Sequence, residues 1–204
     1  MAELILYTNP MSRGRIVRWM LEEVGAPYET VVTQWGAPDA ALLAANPLGK
    51  VPTIIHDGAV VSETAAICAY LADAFPDAGL APRAEERASY YRWMFFTAGP
   101  VEAAMMDSHL GVTLPREKEA MIGYGNLARA VDVLEGAVSA HDYIAGPRFT
   151  AADVYVGSSV DFFIQFGMLE KREAFARYLD RLRERPAWVR ARAIDDALIA
   201  AQQR

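Results

Sequence analysis

Cysteine is nearly absent from this sequence, with one residue among 204. A single cysteine excludes an internal disulfide framework and a Cys-x-x-Cys redox or zinc site, and it favours a reducing compartment. No uninterrupted apolar run reaches the roughly 18 residues that suggest a membrane-spanning helix. The first residues also lack a basic segment followed by an apolar one, so no secretory signal is expected. These absences predict a cytoplasmic protein that does not span a membrane.

An excess of positive charge is missing as well. The net charge of −6 argues against nonspecific binding to nucleic acid. No grouping of His, Asp and Glu has the spacing of metal ligands, and neither a Gly-rich phosphate loop nor a Ser-His-Asp set is identifiable. The sequence therefore predicts no metal and no prosthetic group.

Hydrophobic residues make up 53% of the chain, which suffices for the core of one large domain or two small ones. In the first 75 residues, short apolar strands alternate with helical patterns in the order β-α-β-α-β-β-α. The intervening helix makes the first two strands parallel, and Asp57-Gly58 is a hairpin signal between the last two. Predicted strands cover 3–7, 28–33, 51–55 and 59–61, and predicted helices begin at residue 12 or 13, at 38 and at 63.

A stretch with two prolines and a glycine, residues 76–82, ends this half and is predicted to be a linker. Every later pattern is helical, and Pro100 is expected to kink or split the first of these helices. The fold class is thus α/β plus all-α, with domains at 1–78 and 84–204. The predicted helices cover 84–112, 116–140, 150–166, 171–184 and 186–201.

Two side chains that could be mistaken for catalytic groups have structural explanations. Thr150 and Asp153 stand three residues apart, as in a capping box, with Phe149 and Val154 placed as a hydrophobic staple. Asp153 is therefore predicted to cap a helix. Cys68 lies within a helical apolar pattern and is predicted to be buried and inert.

Two motifs carry a family resemblance. The β-α-β-α-β-β-α unit contains "NPLGKVPTI" at residues 46–54 and "SETAAICAYL" at residues 62–71, and an all-helical half follows. In this combination the chain resembles the cytosolic glutathione S-transferases, of bacterial type and undetermined subclass, over essentially its whole length. The resemblance implies a thioredoxin-like first domain, a homodimer and a role in detoxification.

The resemblance also implies a glutathione site. In this family the Val51-Pro52 bond is cis, and Val51 offers its N–H and C=O to the cysteinyl backbone of glutathione, like an added strand. Glu63 would pair with the ammonium group, and Thr64 at a helix start would bind the γ-glutamyl carboxylate. The glycyl end could be reached by the charge of Lys50 or by the indole N–H of Trp35.

The group that activates the thiol stays open at this point. Ser12 stands at the loop-to-helix junction, where serine-type family members carry their active residue, and Tyr7 ends the first strand, near the residue of tyrosine-type members. A third alternative is neither hydroxyl, with a backbone N–H near Arg13 or the Asn9 amide holding the sulfur. Outside catalysis, Ser12 would be a helix N-cap and Tyr7 a half-buried strand aromatic.

The second substrate is expected between the domains, where pockets often form. Apolar and polarisable side chains of two predicted helices are candidates for the wall of this pocket. The alternative for each of them is a place in the hydrophobic core, as is usual for residues of an apolar helix. The candidates are Met105, Met106, His109, Phe162 and Phe166.

The preferred function is that of a glutathione transferase, which holds glutathione as thiolate and directs it at an apolar electrophile. Glutathione is then a co-substrate, and no cofactor is required. A glutathione-dependent peroxidase or reductase on the same scaffold is one alternative, although the absence of a cysteine near residue 12 argues against exchange through the protein. A non-catalytic glutathione-binding interaction module is the other alternative.

Overall fold

The structure is a computed structural model that describes residues 3–202. The described chain divides into two compact units. One extends to Ala81 and also takes in the chain from Arg183 onward, and the other is Pro82–Leu182. The division into domains 1–78 and 84–204 stays a prediction, while packing places the C-terminal segment with the first unit.

A four-stranded mixed sheet forms the centre of the first unit. Its strands are β1 (Leu4–Thr8), β2 (Glu29–Val32), β3 (Thr53–His56) and β4 (Ala59–Ser62). They lie in the order β2-β1-β3-β4, and only β1 and β2 are parallel among the neighbouring pairs. The thioredoxin-like strand pattern expected from the sequence is confirmed.

Strand β3 begins later than predicted. The sequence placed residues 51–55 in this strand, whereas pairing with β1 starts at Thr53, which lies opposite Tyr7. Pro52 has no N–H to contribute to a ladder, so it lies before the strand. Val51 is consequently outside the sheet.

Helices cover the sheet of the first unit. They are α1 (Gly14–Val24), α2 (Ala40–Ala45) and α3 (Thr64–Ala74), and a 3₁₀ turn at Pro76–Ala78 follows. Helix α1 buries Ile16, Val17, Met20 and Leu21, and it ends at Gly25 with φ of 68°. Cys68 on α3 is fully buried, as predicted, and burial raises the pKa of its thiol.

The rest of the described chain is helical, as predicted. Its helices are α4 (Arg87–Phe96), α5 (Glu102–His109), α6 (Leu127–Ala140), α7 (Ala151–Gln165), α8 (Glu173–Arg183) and α9 (Pro186–Gln202). A π-helical turn at Thr97–Val101 contains Pro100 and separates α4 from α5. None of the helices within residues 3–202 combines the length and apolarity that crossing a membrane requires.

The single helix predicted over 116–140 is wrong. A short 3₁₀ helix occupies Arg116–Met121, and α6 starts only at Leu127. Gly125 adopts a φ of 68°, which ends any continuous helix, and the Asn126 side chain accepts a hydrogen bond of 3.0 Å from the Arg129 N–H. Asn126 thus provides a new helix start.

The capping role of Asp153 is confirmed. Its buried carboxylate accepts hydrogen bonds from the N–H of Thr150 at 2.9 Å, the N–H of Ile144 at 2.7 Å and the hydroxyl of Tyr178 at 2.9 Å. Burial raises the pKa of Asp153 to about 6, and these donors oppose the rise. Every described contact of this carboxylate is structural.

Candidate active site

The loop between β1 and α1, residues 9–13, is held by the side chain of Asn9. This residue is 2% exposed, its Nδ2 donates to the Thr33 carbonyl at 2.9 Å, and its Oδ1 accepts from the Met11 N–H at 2.9 Å. From the sequence, Asn9 was predicted only as a possible hydrogen-bond donor to sulfur. Its amide instead ties the β1–α1 loop to the end of β2.

The Ser12 hydroxyl is bonded within the same loop. It donates to the Asn9 carbonyl at 2.7 Å and accepts from the Gly14 N–H at 2.9 Å. The Asn9 carbonyl also accepts from the Ser12 N–H at 3.0 Å. If the hydroxyl turned toward a ligand, this carbonyl would therefore keep one partner, which makes the reorientation inexpensive.

Tyr7 occupies a more enclosed position than Ser12. It lies in β1 between Val31 of β2 and Thr53 of β3, and only 6% of it is exposed. This position fits the strand-aromatic interpretation, because little of its surface can meet a ligand.

The segment around Val51 leaves backbone groups unused. The Val51-Pro52 peptide bond is cis, and within residues 3–202 no hydrogen bond engages the N–H or C=O of Val51. The preceding turn is fixed by Asn46, whose Nδ2 donates to the Lys50 carbonyl and to the Thr53 hydroxyl, each at 3.1 Å. This supporting role was not predicted from the sequence, although a polar residue just before Pro-Leu-Gly is a turn signal.

The start of α3 contains an unusual backbone conformation. Glu63 has φ of 66° and ψ of 114°, and its side chain is exposed. Residues other than glycine rarely adopt positive φ, and such conformations concentrate at binding sites. Thr64 is the first residue of α3, and among residues 3–202 no acidic side chain lies in this first turn and no side chain caps it. The first-turn N–H groups are thus available to an anion.

The remaining glutathione candidates lie at the surface of the first unit. Trp35 is 61% exposed, just beyond β2, and the Lys50 side chain is exposed beside Val51. Both side chains are thus accessible to a ligand that binds at this surface.

The electrophile candidates lie on two helices of the second unit. On α5, Met105 is fully buried, Met106 is half-buried and His109 is exposed. On α7 and just after it, the Phe162 and Phe166 rings lie 4.4 Å apart, and Phe166 is 58% exposed. Met105 thus belongs to the core, while the two phenylalanines form an accessible apolar surface.

Two domain models of one protein family match the chain. The model of the glutathione S-transferase N-terminal domain matches residues 11–74, and the model of the C-terminal domain of the same family matches residues 92–186. The chain belongs to the glutathione S-transferase family. It is accordingly a glutathione S-transferase enzyme.

Individual family members are similar over most of the chain. Glutathione S-transferase 3 of Schizosaccharomyces pombe is 29% identical over 170 residues, which cover 74% of this chain and 70% of that protein. The glutathione transferase of Methylococcus capsulatus is 26% identical with a TM-score of 0.76, covering 95% of this chain and 99% of that one. The theta class enzyme of Xanthomonas axonopodis, solved with glutathione bound, is 28% identical with a TM-score of 0.71, covering 94% and 97%.

Proposed function

We propose that this glutathione S-transferase holds the tripeptide along Val51, Glu63 and Thr64, stabilises its thiolate, and directs the sulfur at an apolar electrophile. We call these three residues the tripeptide anchor. The observation that carries the proposal is the unused N–H and C=O of Val51 next to an uncapped helix start at Thr64. An extended peptide can form backbone hydrogen bonds with Val51 and place its carboxylate at the helix start at Thr64.

The chemistry requires a lower thiol pKa. A free thiol of this kind has a pKa of about 8.5, so little thiolate exists near neutral pH. Lowering it by about two units corresponds to about 2.7 kcal/mol of preferential stabilisation of the anion. A hydrogen bond to the charged sulfur, together with the N-terminus of α1, is of the size required.

Ser12 is the proposed donor of that hydrogen bond. Its hydroxyl would turn from the Asn9 carbonyl toward sulfur, while the Gly14 N–H at 2.9 Å continues to donate to Ser12 Oγ. A hydroxyl that accepts one hydrogen bond donates the next one more strongly. Tyr7 is the weaker candidate because it is nearly enclosed.

The acceptor is proposed to be apolar because the half-buried Phe162 and the exposed Phe166 are in ring contact near the end of α7. The sulfur would displace a leaving group or add to an activated double bond, with positioning and anion stabilisation as the enzyme's contributions. Such conjugation suits detoxification in the cytoplasm.

We also propose a homodimer. On α4, Tyr91 and Phe95 are 45% and 71% exposed, and their rings lie 6.5 Å apart. Exposed aromatic pairs of this kind are enriched at protein interfaces. Size-exclusion chromatography with light scattering should give twice the chain mass, and Phe95→Glu should give the chain mass alone.

One set of measurements tests the function. Calorimetry should detect binding of reduced glutathione. The enzyme should also conjugate glutathione to 1-chloro-2,4-dinitrobenzene, at a rate that saturates as the glutathione concentration rises. Turnover of cumene hydroperoxide without conjugation would assign the peroxidase alternative. Binding without either reaction would assign the interaction module, and absence of binding would contradict the proposal as a whole.

A further inference from the structure

Helix α9 is fastened to α1 by charges that pair in reverse order along the two helices. The basic residues of α1 meet the acidic residues of α9, and the acidic residues of α1 meet Arg185, just before α9, and Arg190 within it. The pairs are Arg15–Asp196 at 2.5 Å, Arg18–Asp195 at 2.7 Å, Glu22–Arg190 at 3.1 Å and Glu23–Arg185 at 2.6 Å.

The central pair differs from the others because it is buried. Arg18 and Asp195 are each 1% exposed, and Arg18 Nε donates to Asp195 Oδ1. Burial tends to lower the pKa of Arg18, and the Asp195 carboxylate offsets this, so that the guanidinium pKa is raised. Desolvating two charges is costly, and an apolar pair of similar volume often stabilises a fold as well or better. Stability alone therefore does not explain this pair.

Arg18 connects three elements. Its Nη1 lies 3.1 Å from the Tyr28 hydroxyl just before β2 and 3.3 Å from the Thr30 hydroxyl within β2. Burial raises the pKa of Tyr28 to about 12, so this hydroxyl stays protonated and donates a hydrogen bond to the Glu22 carboxylate at 2.9 Å. A planar guanidinium held on two sides fixes the rotation of α1 about its own axis.

That rotation determines where the β1–α1 loop points. Helix α1 begins at Gly14, one turn before Arg18, and the Gly14 N–H is bonded to the Ser12 hydroxyl. A turn of α1 would therefore move the Ser12 hydroxyl and the first N–H groups of the helix together.

We propose that Asp195 is a positioning residue of the glutathione site, which acts through Arg18 to fix the orientation of α1 and of the β1–α1 loop. This inference rests on the proposed function for its catalytic meaning. Its structural content, that a carboxylate on α9 sets the loop at Ser12, can be measured without any ligand.

The test compares Asp195→Asn with Asp196→Asn. Both substitutions remove one negative charge from the same end of α9, but Asp196 is 64% exposed and pairs with Arg15, which is itself 24% exposed. In the ligand-free protein, Asp195→Asn should shift the amide NMR resonances of Ser12 and Gly14, and Asp196→Asn should leave them in place. Unshifted resonances in Asp195→Asn would overturn the inference, whether or not the protein binds glutathione.

The second readout is the pKa of the bound thiol, followed by thiolate absorbance. Asp195→Asn should raise this thiol pKa by about one unit. At a pH below the thiol pKa of both the variant and the wild type, the variant then holds about tenfold less thiolate. A purely electrostatic role gives the opposite sign, because removal of a negative charge favours the thiolate. A lowered pKa in Asp195→Asn, equal to that in Asp196→Asn, would therefore contradict positioning.

A double variant separates positioning from folding. The double variant Arg18→Met with Asp195→Leu replaces both buried charged side chains by apolar ones of similar volume. It should therefore fold with a melting temperature equal to or above that of the wild type. The Ser12 and Gly14 resonances should remain shifted, because the hydrogen bonds to Tyr28 and Thr30 are lost. Return of these resonances to their wild-type positions would show that packing alone orients the loop.

Discussion

The two ends of the proposed glutathione site are built in opposite ways. In the β1–α1 loop, the Ser12 hydroxyl and the Asn9 amide hydrogen-bond to neighbouring backbone. At the tripeptide anchor, by contrast, both backbone groups of Val51 are free of hydrogen bonds within residues 3–202, and no side chain of this part of the chain caps the helix that begins at Thr64. The proposed function therefore requires little change at the anchor, whereas Ser12 would exchange an internal hydrogen bond for one to sulfur. Binding and activation should respond separately to substitution.

Gly14→Ala should have the largest effect, because it breaks the thiol end while leaving the anchor intact. An added Cβ would lie 1.9 Å from the Thr8 hydroxyl oxygen and 3.0 Å from Thr8 Cβ, and Thr8 is fully buried. Overpacking of this kind costs about 1–3 kcal/mol or more. We expect a clearly lower melting temperature and loss of nearly all conjugation.

Gly136→Ala is the matched control for this prediction. Gly136 lies within α6, and a Cβ there meets nothing within 4 Å. Alanine should raise stability by up to about 1 kcal/mol through helix propensity. If Gly14→Ala also melted at or above the wild-type temperature, the close contact between α1 and Thr8 would be incorrect.

Ser12→Ala should have the next largest effect, and it should fall on activation alone. Without the hydroxyl, the pKa of the bound thiol should rise by about one to two units, which lowers the thiolate fraction ten- to a hundredfold below both pKa values. The rate deficit should disappear at high pH, where both enzymes hold thiolate. The dissociation constant of glutathione should change little.

The pH-rate profiles of Ser12→Thr and Tyr7→Phe sharpen the assignment. Threonine keeps the hydroxyl and should retain most of the activity, and Tyr7→Phe should match the wild type. A normal profile for Ser12→Ala combined with a shifted one for Tyr7→Phe would transfer the catalytic role to Tyr7.

Substitution at Thr64 should have a moderate effect of the opposite kind. Thr64→Val removes the hydroxyl at the start of α3 and should raise the dissociation constant of glutathione about tenfold, the loss expected for a hydrogen bond to a charged group. The pKa of the bound thiol should stay at its wild-type value. Thr64→Ser is the control and should bind normally, and a shifted thiol pKa in Thr64→Val would show that the two ends are coupled.

The sequence predicted what local patterns encode. Thr150 and Asp153, three residues apart, predicted a helix cap that the structure contains, whereas the start of β3 was predicted at residue 51 and lies at Thr53. The partnership of Arg18 with Asp195 spans 177 residues and depends on how α9 packs, so no local pattern contains it. The loop-building roles of Asn9 and Asn46 were missed for a related reason, since a buried amide can be assigned only after its partners are known.

Lys50 should contribute the smallest effect, because its side chain is exposed. An exposed ion pair with the glycyl carboxylate is worth about 0.2–1 kcal/mol, so Lys50→Gln should weaken glutathione binding at most about fivefold. Salt decides whether this contribution is electrostatic, since the Debye length falls from roughly 10 Å at 0.1 M to roughly 3 Å at 1 M. The difference from wild type should therefore shrink in 1 M salt, while the deficit of Thr64→Val persists because it reflects a short hydrogen bond. If the loss of glutathione affinity in Lys50→Gln were the same at both salt concentrations, the aliphatic part of the Lys50 side chain would instead pack on the ligand.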